Sequence, residues 1–149
     1  MTKIFRLLLT TIALLGSASA FGACPGAKTL FYCQLENRKQ VQICRAGGSV
    51  TYSFGRSLAN PEIKLVKRFG QAYAENWHAI GPEHYGLEIP HGSTTYRAYQ
   101  GTESTESGVN TLAGIRVERK QRTSDYACKT DTLISNLEDN SLPERPDAH

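Results

Sequence analysis

The longest apolar segment in this 149-residue chain, residues 7–16, is only ten residues long. A single helical crossing of a bilayer needs about 20, so a polytopic helical membrane protein is excluded. Charge of either sign is also in short supply. Lys and Arg number 17, Asp and Glu 14, and charged residues make up 21% of the chain, too few for a disordered polyelectrolyte. Several catalytic signatures are missing. There is no G-x-S-x-G nucleophile elbow, no S-x-x-K, no glycine-rich phosphate loop and no C-x-x-C. No internal repeat is present. The length fits one domain.

What is there begins at the N-terminus. Met1-Thr2-Lys3-Ile4-Phe5-Arg6 is basic, residues 7–16 are apolar, and Ser17-Ala18-Ser19-Ala20 ends in an Ala-x-Ala arrangement. That order of charge, apolar core and small residues predicts a secretory signal cleaved after Ala20. A lipoprotein signal would place Leu three residues before Cys24, where Phe21 stands, and would leave an odd cysteine. Removing residues 1–20 takes away Lys3 and Arg6, so the formal charge falls from +3 to +1. With that balance and a periplasmic or secreted address, nucleic acid is not an expected partner. Nor is the membrane, once the signal is removed.

Four cysteines remain, Cys24, Cys33, Cys44 and Cys128. An even count in an oxidising compartment reads as two disulfides. Four cysteines allow three connectivities, and strand parity bears on the choice. Phe31, Cys33 and Leu35 share one face of a strand, as do Val41 and Ile43 of the next, for example with Cys33 opposite Ile43 across a three-residue loop. Cys44 then falls on the other face, which disfavours Cys33–Cys44. The reading points to Cys33–Cys128 through the core and Cys24–Cys44 near the N-terminus.

Alternation of apolar and polar residues marks further strands at residues 29–35, 40–44, 50–55, 62–69, 84–89, 94–100 and 111–120, with a last one around Cys128. Tyr85, Leu87, Ile89, Ala113, Ile115 and Val117 are expected to point inward. Residues 71–78, which include Trp77, have no clean period and read as irregular. Residues 101–110 are rich in Ser, Thr, Glu and Gly and read as an exposed mobile loop. Asp131 is placed to cap a short helix over 132–138 that would bury Leu133, Ile134 and Leu137. The expected architecture is mainly β: a small antiparallel sandwich or barrel with a short C-terminal helix, stapled by disulfides. Its expected limits are a signal peptide at 1–20, a β domain at 21–139 and a disordered tail at 140–149.

Three groups of residues could carry function. His78, His84 and His91 lie within fourteen residues, with Glu83 and Glu88 between them, a set that could bind zinc or act as acid–base groups. No pair has the i, i+4 spacing of a helical metal motif, and along a strand His84 and His91 face opposite sides. Arg116, Arg119, Lys120 and Arg122, with Lys64, Lys67 and Arg68 elsewhere, could form an anion-binding patch for envelope polymers or simply solvate strand edges. The carboxylates Glu103 and Glu106 sit in a polar segment where burial cannot tune them. The turn His91-Gly92-Ser93-Thr94-Thr95-Tyr96 puts small hydroxyl residues beside a tyrosine, a shape suited to entering a partner's cleft.

Two resemblances follow from these residues. The pattern Cys24…Phe31-Tyr32-Cys33…Val41-Gln42-Ile43-Cys44…Tyr52-Ser53-Phe54-Gly55, with Ala113-Gly114-Ile115-Arg116-Val117 and Cys128 downstream, resembles a set of small exported proteins of Gram-negative bacteria. It spans most of the mature chain and implies export without implying an activity. The turn is locally similar to the S-G-x-S-x-Y loop with which periplasmic inhibitors of invertebrate-type lysozymes enter the enzyme's active site. Gly92 and Tyr96 match, Thr94 stands for the second Ser, and His91 replaces the first.

The expectation is therefore a non-enzymatic binding domain of the bacterial envelope, with no cofactor, whose partner is a protein or an envelope polymer. His91, Gly92, Ser93, Thr94 and Tyr96 are its candidate binding residues. The alternatives are a periplasmic lysozyme inhibitor using that turn, and a small envelope hydrolase or metal-binding protein using residues 78–91.

Overall fold

The computed structural model describes residues 22–77 and 84–146. The expected signal peptide, with its cleavage site, and His78 and Glu83 lie outside the described residues.

Among the described residues ten strands form two five-stranded antiparallel sheets. The first contains β1 (Lys28–Gln34), β2 (Gln40–Ala46), β3 (Ser49–Gly55), β4 (Ile63–Arg68) and β10 (Ile134–Ser135), in the order β10-β1-β2-β3-β4. The second contains β5 (Tyr73–Trp77), β6 (His84–His91), β7 (Thr94–Thr105), β8 (Gly108–Arg119) and β9 (Arg122–Ala127), in chain order. One hydrophobic cluster joins them. Phe31, Cys33, Val41, Ile43, Val50 and Tyr52 of the first sheet meet Ala74, Leu87, Ile89, Ala98, Ala113 and Ile115 of the second. The two sheets thus share a core in a sandwich-like arrangement. Every one of these residues follows the period-2 alternation of its strand, so the burial of one face dictates the register.

The pairing of β1 with β2 differs from the register inferred for it. Cys33 lies opposite Val41 and Phe31 opposite Ile43. The three-residue connection falls one residue earlier, at 36–38: Leu35 N–H donates to Lys39 O at 2.8 Å and Arg38 N–H to Leu35 O at 3.0 Å, with Arg38 at φ 65°. Because the slip is two residues, parity survives, and the cysteine argument survives with it. The disulfides are Cys24–Cys44 and Cys33–Cys128, each with a Cα–Cα distance of 5.7 Å. Two disulfides suit an oxidising, extracytoplasmic environment. Among the described residues no helix is long and apolar enough to cross a membrane.

Four local expectations need correction. The helix expected over 132–138 is absent; a 3-10 turn at Thr130–Thr132 leads directly into β10, which pairs with β1. Leu137 is buried, but Ile134 is exposed, because the segment runs extended beside an open sheet edge and turns one side chain outward. Residues 71–78 include a true strand, β5, whose Ala74 faces the core. Residues 101–110 are not a loop but the outer half of a β7–β8 hairpin, paired from Thr102↔Thr111 to Thr105↔Gly108. Threonine is a good strand residue when it has a cross-strand partner, which composition alone does not reveal.

Residues 140–146, expected as tail, are laid across the body. Arg45 donates to Asn140 O, Asn140 caps its own turn through Leu142 N, and Ala74 N–H donates to Pro143 O at 2.9 Å. Leu137 and Leu142 anchor this strap in the core.

Pro90 is inside β6 opposite Thr95. It is tolerated because β5 pairs with β6 only as far as Glu88. Its missing N–H therefore faces an edge with no ladder partner.

Tyr52 is fully buried at the meeting of the sheets, its ring 5.1 Å from that of Tyr96. Burial, followed by the neighbouring phenols Tyr96 and Tyr126, pushes its hydroxyl far above the ordinary value of 10.0. Below that ordinary value both folded and unfolded chains keep the proton. Above it the unfolded chain ionises first, so stability falls as pH rises. Tyr52→Phe removes this drain. Its alkaline unfolding midpoint, followed by circular dichroism, is expected to move to higher pH than that of the parent.

Candidate functional site

The inward set of the second sheet fixes its outward set. With Leu87, Ala98 and Ala113 in the core, His84, Gly86, Glu88, Arg97, Tyr99, Leu112, Gly114 and Arg116 face the other way. They fall into cross-strand rows. One row reads Glu75, Gly86, Tyr99, Gly114, Ala127 from β5 to β9. The row beside it reads Tyr73, Glu88, Arg97, Arg116, Asp125. On the other side, His84, Gly101 and Leu112 align.

The first row is nearly bare of side chains apart from Glu75 and Tyr99, and a hollow of about 490 Å³ opens over it. Its walls include Glu75, His84, Arg97, Tyr99, Leu112 and Arg116. That size lies within the usual range of small-ligand sites. Two glycines make the geometry possible. A Cβ at Gly114 would lie 2.6 Å from Tyr99 Oη and 2.9 Å from Cζ, so the phenol leans across the neighbouring strand. A Cβ at Gly101 would collide with the imidazole of His84, which reaches across β7 in the same way. Glycine inside a strand weakens the sheet, and it commonly marks a close approach of this kind.

The charges beside the hollow are paired. Arg97 meets Glu75 at 2.7 Å and Glu118 at 2.8 Å, and also contacts Glu88. The second oxygen of Glu88 meets Arg145 of the C-terminal strap at 2.9 Å. Arg97 Nε and Glu88 Oε2 make these ion pairs off the hydrogen-bonding line. Burial opposes the charge on Arg97, but the Glu88 hydrogen bond and the charges of Glu75, Glu88 and Glu118 outweigh it and raise its pKa. Arg116 donates Nε to Asp125 at 2.9 Å and holds its guanidinium 5.8 Å from the centre of the Tyr99 ring. Burial, then the Asp125 charge, pushes the Tyr99 phenol up, against a smaller downward pull from Arg116. The result is a fixed array of donors and acceptors around an aromatic side chain.

Of the residues singled out from sequence, His84 and Arg116 line the hollow and Glu88 stands beside it, whereas the other described ones lie elsewhere. His91, Gly92 and Ser93 form the exposed tip of the β6–β7 hairpin, with His91 paired to Thr94. Gly92 has φ 60° and Ser93 does not share a positive φ, the sign pattern of a type II′ hairpin turn. Thr94 is half-buried. Tyr96 does not join the tip. It turns into the core and packs on Tyr52. His84 and His91 sit at opposite ends of β6. Among the described residues no three His, Cys, Asp or Glu side chains gather in a metal-binding group. The basic residues divide as well: Lys64, Lys67 and Arg68 are on β4 of the first sheet, whereas Arg116, Arg119, Lys120 and Arg122 follow the β8–β9 hairpin of the second.

Sequence reasoning missed the hollow, although two signals for it were present. Gly86, Gly101 and Gly114 interrupt well-alternating strands on their outward positions. Glu88 and Arg97 put opposite charges at the centres of neighbouring strands, where solvent-facing residues need no such match. No family model matches this chain, and no curated protein or solved structure does.

Proposed function

We propose that this chain is an exported, non-enzymatic binding domain of the bacterial envelope, and that it holds its ligand in the hollow on the outer face of the second sheet. The observation that carries this reading is the 490 Å³ hollow itself. It is floored by interior strands and ringed by charges that are already held in place. Pre-organised polar groups around an apolar floor are the general form of a small-ligand site. The leader pattern of residues 1–20 and the two disulfides support export. The paired state of Arg97 and Arg116 favours holding a ligand over transferring a proton to or from one.

The lysozyme-inhibitor reading keeps the exposed His91-Gly92-Ser93 tip in its favour. It loses the tyrosine, which is engaged with Tyr52. A hydrolase or metal site based on residues 78–91 draws no support from the separation of His84 and His91.

Purified mature protein immobilised on resin and exposed to envelope extract distinguishes these readings. Leu112→Arg, which projects a long charged side chain at the wall of the hollow, is expected to abolish retention of the bound component. Ser93→Arg at the hairpin tip is expected to leave it intact. The reverse pattern, together with inhibition of a lysozyme by the parent protein, would move the function to the tip.

A further inference from the structure

We propose that the hollow takes a short neutral saccharide, a segment of an envelope glycan; this rests on the hollow being the binding site. Three observations lead there. First, the hollow lies over β6, β7 and β8, interior strands whose backbone groups are committed to their neighbours on both sides. A peptide cannot add itself as a strand at that place, so recognition must come from side chains alone.

Second, the charges are paired, with four carboxylates, Glu75, Glu88, Glu118 and Asp125, facing three guanidiniums, Arg97, Arg116 and Arg145. Arg97 is surrounded by Glu75, Glu88 and Glu118, and Arg116 is held by Asp125. An anionic ligand would meet the excess of negative charge, and a cationic one would have to displace a guanidinium that is already in place. A neutral ligand with several hydroxyls needs no displacement. A hydroxyl both donates and accepts, and here carboxylate acceptors and guanidinium donors stand side by side. The terminal nitrogens of Arg116 make no other hydrogen bond among the described residues, which leaves donors at the rim.

Third, the apolar part of the hollow suits the C–H face of a sugar ring. The Tyr99 ring leans over Gly114, with the exposed side chains of Leu112 and Ala127 beside it. A purely apolar ligand would cover the terminal nitrogens of Arg116 without giving them acceptors, which is costly. A polyhydroxylated ring satisfies both halves of the site.

The test is an NMR titration of the whole mature protein, observing the Tyr99 ring and the Leu112 methyls. The probes are maltotriose, cellotriose and the trimer of N-acetylglucosamine, with trigalacturonate and trialanine as charged-sugar and peptide comparisons. At millimolar concentrations at least one neutral trisaccharide is expected to give saturable shifts at both residues. Tyr99→Ala, shown by circular dichroism to remain folded, is expected to weaken that binding about tenfold or more, about 1.4 kcal/mol or above. Lys64→Ala on the first sheet is expected to leave it unchanged. If trigalacturonate or trialanine binds at the same residues more tightly than any neutral sugar, the saccharide proposal is overturned and the hollow remains the site. If no probe shifts these residues, the proposal is overturned too. Retention of an envelope component that is sensitive to Leu112→Arg then decides separately whether the hollow binds anything.

Discussion

Replacing Cys33 and Cys128 together by alanine is expected to cost about 4–5 kcal/mol of folding stability, whereas the same change at Cys24 and Cys44 is expected to cost about 3 kcal/mol. The difference comes from chain length. The first bridge closes a sequence separation of 95 residues and the second one of 20. In the chain-entropy account, a longer loop removes more freedom from the unfolded ensemble. Location adds to the contrast. Cys33 is completely buried on β1, and Cys128 sits beyond the end of β9, so this bridge ties the first sheet to the second through the core. Removing it also leaves a small void among Leu35, Val41 and their neighbours. Cys24–Cys44 instead fastens the segment before β1 to the neighbouring strand β2. Urea unfolding of the two double-alanine variants, prepared without reductant, measures the comparison. Equal losses, or a larger loss at Cys24–Cys44, would show that the inter-sheet bridge is not the principal staple.

Part of the disulfide pairing is legible in the sequence, because period-2 alternation puts Cys33 and Cys44 on opposite faces and so disfavours that one connectivity of three. A register error of two residues leaves those face assignments in place. The same alternation exposes the inward set of β6 and β8: Leu87 and Ile89, then Ala113, Ile115 and Val117. What alternation does not show is length. Strands β7 and β8 run well past the core, from Thr102 and to Thr111, on residues that composition assigns to a loop. Cross-strand pairing, not burial, holds them there. Nor does alternation show β5 or the strap at 140–146. Their order depends on contacts distant in sequence, Ala74 with Pro143 and Glu88 with Arg145. The hollow escapes for a related reason. It is made by absent side chains at Gly86 and Gly114 and becomes a site only when four strand registers are known. Tyr96 misleads in the opposite sense. It lies next to an exposed turn in sequence, but alternation from Ala98 places it inside.

The charge cluster beside the hollow gives the second large effect. Arg97→Met is expected to destabilise the protein by about 2–4 kcal/mol at neutral pH, the lower part of the range for breaking a buried ion pair because two of the partners are partly exposed. Methionine fills much of the same volume, so lost packing is a minor part. The loss arises because Glu75, Glu88 and Glu118 then face one another without the cation between them, and the Glu88 side chain is only 8% exposed. Arg145 still reaches Glu88 from the strap, but from a position 43% exposed, where its attraction is screened. Arg145→Ala in the parent is accordingly expected to cost no more than about 1 kcal/mol. A second substitution separates electrostatics from shape. Adding Glu88→Gln to Arg97→Met removes the stranded charge and is expected to return about 1 kcal/mol or more, so the double variant is the more stable of the two. Urea melts of parent, single and double variants supply the comparison. If the double variant is no more stable than Arg97→Met alone, the carboxylates do not depend on Arg97 for their compensation. The donors and acceptors around the hollow would then not be held by the network described for them, and the case for a pre-organised polar rim would fall with it.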